Sequence, residues 1–199
     1  MYESQLHPFV KSYCFLLLIG IFGCVIFFKA FADSTLPDSR VNKKKAGVLY
    51  NLSKFIDWPD QAFFSSKSTF KICLIGEVVF LDALKNFEKR QIRGRAVRVI
   101  VLPKNLANLS DCQTLYLSST AKTTFPNILA MLDKKSILTI SDLPNFVKQG
   151  GMIGLIQVKK RVRFAINLDA TKSVNLVISA QLLRLAKSIK YKDGQISNP

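Results

Sequence analysis

From Val41 the chain repeats its apolar positions at helical spacing. Val41, Val48, Leu52 and Phe55 fall on one stripe with Leu49 and Ile56 beside it, while Lys43, Lys44 and Lys45 take the solvent side. Trp58-Pro59 closes the pattern, because the residue before a proline avoids the helical region. Beyond it, short apolar runs alternate with helical ones. The runs predict strands over 70–75, 96–102, 114–117 and 136–140, and helices over 80–87, 124–132 and, briefly, 143–147 ahead of Gly150-Gly151. Such alternation implies βαβ units, hence a single α/β domain with a mainly parallel sheet flanked by helices. The ending differs. Strands over 152–158 and 161–167 are separated only by Lys159-Lys160, which permits nothing but a C-terminal antiparallel hairpin. A last helix is expected over 179–189, with Leu182, Leu185, Ala186 and Ile189 on one face.

The N-terminus carries another kind of pattern. Lys11 precedes an almost unbroken apolar run over 13–28, followed by Ala30-Phe31-Ala32, the order of a secretory signal. Residues 1–32 are therefore expected to be a signal peptide cleaved after Ala32. Residues 33–42 would be a polar lead-in, 43–190 the domain and 191–199 a flexible tail. A retained membrane anchor is the alternative, since 16 apolar residues fall just short of a span. Cleavage would remove His7, the chain's one histidine, and with it Ser-His-Asp, Cys-His and histidine–zinc chemistry. It would also leave Cys73 and Cys112 as the remaining cysteines. In an oxidising compartment two such thiols are expected to form a disulfide, two free thiols being the alternative.

Charge changes the picture less than its size suggests. The chain has 29 Lys+Arg against 13 Asp+Glu, a net +16, and +15 without the signal. Two basic clusters stand out: Lys89, Arg90, Arg93, Arg95 and Arg98, and then Lys159, Lys160, Arg161 and Arg163. Nucleic acid is not the expected partner of an exported chain without an aromatic-interleaved binding motif; peptidoglycan or anionic membrane fits the charge better. One glycine, Gly76, follows the strand at 70–75, where a dinucleotide fold needs several, and P-loop and nucleophile-elbow motifs are absent from the sequence. Asp142 follows a strand, where active-site carboxylates often lie, but is expected to cap the next helix. The sequence thus points to no enzyme, no cofactor and no metal.

Three blocks carry a resemblance. Lys45-Ala46, Leu49-Tyr50-Asn51, Lys54-Phe55 and Trp58-Pro59 form the first, and Gly150-Gly151-Met152-Ile153-Gly154 the second. The third combines Val162-Arg163-Phe164 and Ile166-Asn167 with Gln181-Leu182-Leu183-Arg184-Leu185-Ala186. In order and spacing they resemble the YfiR-like family of periplasmic regulatory proteins. The resemblance implies a periplasmic, non-enzymatic domain that binds the periplasmic sensor domain of a membrane-bound diguanylate cyclase and represses it. It also implies a Cys73–Cys112 disulfide with a structural and redox-sensing role, and a homodimer is a further candidate assembly. The family-motif residues carried over are Trp58, Pro59, Gly150, Gly151, Arg163, Phe164 and Asn167. Two departures matter. The namesake's second cysteine pair has no counterpart, and Ala165 stands where family members commonly carry Glu, so a role tied to that carboxylate does not carry over.

Overall fold

The computed structural model describes residues 39–103, 106, 109–159, 161–190 and 196–197. The expected signal segment, residues 33–38 of the lead-in and all of the tail but 196–197 lie outside the described residues. Helix α1 (Ser39–Lys54) begins two residues ahead of Val41, so residues 39–42 form its first turn rather than a lead-in. It buries Ala46, Leu49 and Leu52 together with the small polar Ser53, whose hydroxyl bonds to the Leu49 carbonyl and to Thr114 Oγ1. The helix stops well before the proline. Phe55 N–H turns back to the Leu52 carbonyl (3.1 Å), and β1 (Ile56–Asp57) pairs antiparallel with β9 (Val177–Ile178). Ile56 is thus buried by strand pairing and not on the helix stripe.

The main sheet contains β2 (Phe70–Ile75), β3 (Gln91–Ile92), β4 (Arg95–Val101), β5 (Thr114–Leu117), β6 (Leu138–Ser141), β7 (Ile153–Val158), β8 (Arg161–Asn167), β10 (Ser188–Lys190) and β11 (Ile196–Ser197), in the order β11-β10-β8-β7-β6-β5-β2-β4-β3. The run β7-β6-β5-β2-β4 is parallel throughout. β7 and β8 form the antiparallel hairpin, and β10 with β11 closes the sheet in a second one. Alternation along the strands divides the core. Ile72 and Leu74 face a first cluster with Leu49, Leu52, Phe80 and Leu84, so α1 and α2 (Leu81–Lys85) cover that face. Cys73 and Ile75 face a second cluster with Phe125, Ile128 and Phe146, under α3 (Phe125–Met131). Among the described residues no helix is long and apolar enough to cross a membrane.

Three expectations are corrected. The last helix, α5 (Ala180–Leu185), is short. Ala186 is extended (ψ 145°), and Ile189 is buried in β10 by parallel pairing with Ile166, while Leu185 is 55% exposed. Burial of Ile189 therefore comes from a strand, which a helical spacing imitates. Residues 143–147 form no helix: Asn145 is left-handed (φ 59°), which breaks the helical path, and the segment runs as turns. Asp142 consequently caps no helix. The Ser141 hydroxyl receives the Leu143 N–H instead (3.0 Å), and the Asp142 carboxylate receives Lys45 Nζ (2.9 Å).

Candidate functional site

Cys73 in β2 and Cys112, two residues ahead of the neighbouring parallel strand β5, are joined by a disulfide, with Cα atoms 5.9 Å apart. Both are buried in the second cluster. The bond fastens the entry of β5 to the middle of the sheet. The segment ahead of β5 is held from the other side too, because Gln113 accepts Lys71 N–H and donates to the Ala62 carbonyl (2.8 Å each).

Most of the motif residues build the scaffold. Trp58 is buried, donates to the Gln113 carbonyl (3.2 Å) and meets Phe70 edge-on at 5.0 Å. Pro59, extended (ψ 154°), leads into a 3-10 turn at Asp60–Ala62. Gly150 is left-handed (φ 101°), and at Gly151 a Cβ would lie 2.2 Å from the Phe146 ring, so the chain passes against that ring as bare backbone. Asn167 is buried and locks the same region. Its Oδ1 accepts Ala170 N–H (3.1 Å), capping α4 (Leu168–Lys172), and its Nδ2 donates to the Val147 carbonyl (3.3 Å). Phe164 is half-buried against the first cluster.

The first basic cluster is largely structural as well. Arg93 donates to the Ile56 carbonyl and pairs with Asp57. Arg95 sits 3.9 Å above the Phe63 ring and donates to the carbonyls of Ser65, Ser66 and Ser68. Arg90 lies over the Phe87 ring at 5.3 Å.

Arg163 is different, being exposed on β8. With Arg161 and Val162 it forms one wall of an open groove of about 530 Å³, and Lys44, Gly47, Val48 and Asn51 of α1 form the other. Those four follow at spacings of three, four and seven, so they make a second stripe beside the buried one. A Cβ on Gly47 would meet nothing within 4 Å, which leaves the helix backbone open at mid-groove. Among the described residues three cations and no carboxylate line it, an arrangement suited to an acidic surface. The sequence reading singled out Arg161 and Arg163 but missed the α1 wall. Its signal is the spacing of Lys44, Gly47, Val48 and Asn51, hidden because the four differ in polarity. Lys160 of the second basic cluster lies outside the described residues.

A family model described as YfiR/HmsC-like (DUF4154) matches residues 42–187, which include both walls of the groove and both cysteines. No curated protein matches the chain.

Proposed function

Since the chain belongs to the YfiR/HmsC-like family, we propose that it is a non-enzymatic periplasmic regulator that binds and represses an inner-membrane signalling protein, a diguanylate cyclase, in a redox-sensitive manner. The α1–β8 groove is the observation that carries the reading. It brings the first and third motif blocks together at the surface, where Arg161 and Arg163 are exposed. A repressor of this kind needs no catalytic group. It needs a rigid surface that a sensor domain recognises; the disulfide lies in the second cluster, away from the groove, so its redox state would reach that surface through the stability of the sheet. Charge sets encounter and register, while the apolar strip at Val48 and Val162 supplies contact area.

Deleting the gene is expected to raise cellular cyclic-di-GMP. The wild-type chain should restore the low level, and Arg161→Glu/Arg163→Glu should not, although its thermal melt is unchanged. Equal cyclic-di-GMP in deletion and wild type, under both oxidising and reducing growth, would refute the proposal. The three cations also favour a second reading, a basic domain that holds peptidoglycan or anionic membrane. Sedimentation with purified cell wall and with anionic vesicles at low and high salt separates the two. Charge-driven retention collapses with salt, and a partly apolar protein interface persists.

A further inference from the structure

The parallel part of the sheet reverses its winding between β2 and β5. From β2 the chain crosses by α2, on the first face, to β4; from β5 it crosses by α3, on the second face, to β6. The two strands are neighbours, so the chain leaves their carboxyl ends in opposite directions and a crevice opens between. In open α/β sheets such a switch point is where ligands bind. Here it encloses about 250 Å³, distinct in place from the α1–β8 groove.

Its walls are stitched together. Gly76, left-handed at φ 84°, turns out of β2 so close to the opposite loop that a Cβ would lie 2.7 Å from Thr120 Oγ1. The Glu77 N–H donates to that oxygen (2.9 Å), which in turn donates to Ser118 Oγ (3.3 Å). The crevice is therefore held open at fixed width rather than formed by a floppy loop. Its floor is a polar set fixed by Asp142, which accepts Lys45 Nζ (2.9 Å) and Ser119 N–H (3.2 Å). The Tyr116 phenol faces the same crevice beside Asp142. Burial first, and then the nearby carboxylate, hold this phenol well above its ordinary range, so it stays a protonated donor.

The pair at the centre decides the ligand. Lys45 and Asp142 are only 15% and 22% exposed and neutralise one another. A ligand with a net charge would upset that balance in a half-desolvated place. A neutral ligand with adjacent hydroxyls would not, because one hydroxyl can accept from the two ammonium hydrogens Lys45 has left while its neighbour donates to a carboxylate. The rim offers the matching groups. Glu77 is an exposed acceptor, the Ser119 hydroxyl has no partner among the described residues, and Val79, 61% exposed, gives an apolar shelf. The volume is just under the range typical of drug-sized ligands, which suits one sugar ring.

We propose that the crevice between the carboxyl ends of β2 and β5 is a binding site for a neutral monosaccharide, held by the Lys45–Asp142 pair, Glu77 and Ser119. The test is a titration of uniformly 15N-labelled protein, followed by amide chemical shifts, with glucose, galactose and N-acetylglucosamine, and with glucuronate and glucosamine as charged counterparts. At least one neutral sugar should give saturable shifts confined to residues 76–80, 116–120 and the surroundings of Lys45 and Asp142, with a midpoint of about 1–10 mM. Ser119→Leu, at an exposed position, fills the crevice and should raise that midpoint about tenfold with the rest of the spectrum unmoved. Val79→Asp, equally exposed, serves as the second variant should Ser119→Leu disturb the fold. No saturable shift with any neutral sugar, tighter saturation by either charged sugar, or an unchanged midpoint in the properly folded variant would overturn the assignment.

Discussion

Replacing Cys73 or Cys112 by alanine removes a cross-link that spans a sequence separation of 39. In the chain-entropy model a loop of that length restricts the unfolded ensemble by about 4 kcal/mol. For a domain of this size each kcal/mol moves the melting temperature by about 2–4 °C, so the variant should melt about 8–16 °C below the oxidised wild type. The decisive arm adds reductant. Both cysteines are buried and the alanine is only slightly smaller, so reduced wild type and Cys73→Ala should lie within about 1 kcal/mol of one another. Scanning calorimetry of wild type, Cys73→Ala and Cys112→Ala, each with and without reductant, reads all of this. Oxidised and reduced wild type melting together would refute the reasoning. So would a variant that stays as far below the reduced protein as below the oxidised one, because the loss would then come from packing and not from the bond.

Two further predictions concern the scaffold. Gly151→Ala puts a Cβ 2.2 Å from the Phe146 ring, which is itself packed on Phe125 at 4.8 Å, and should cost about 1–3 kcal/mol in urea unfolding. Tyr116 has its folded-state pKa raised above the ordinary value near 10, so its contribution is complete below that pH. It is lost as the pH rises further, because the unfolded chain releases the proton and the folded chain keeps it. Wild-type stability should therefore fall above about pH 10, and Tyr116→Phe should flatten that alkaline limb in pH-dependent melts.

The strands at 70–75, 114–117 and 161–167 were legible because each is a dense apolar or alternating run with a clear break at its ends, and the structure places them at those bounds. Strand β10 was not. Leu182, Ala186 and Ile189 are all buried, as a helix would have them, but the helix stops at Leu185 and the next residues pair with β8. Local spacing cannot tell continued helix from a turn into a strand when the same residues end up inside. The two-residue strands β1 and β9 are too short to have any period at all. Asp142 shows the other limit: its role depends on Lys45, 97 residues away, and no window along the chain contains both. The basic groove was half legible, its β8 wall as a run of arginines and its α1 wall as a mixed stripe.

The clasp between β1 and β9 also bears on the order of folding. Ile56 pairs with Ile178, and α1 packs on β8, so the first helix of the domain is completed by some of its last residues. A chain that emerges from its N-terminus must hold β1 without β9, and α1 without β8, while more than a hundred residues follow. At ordinary synthesis rates that wait is on the order of ten seconds. During it Leu49 and Leu52 have Ile72, Leu74, Phe80 and Leu84 of the first cluster beside them, while Ile56 waits for its partner strand. The disulfide cannot shorten the wait, because it joins strands in the middle of the chain and leaves both ends to find one another afterwards.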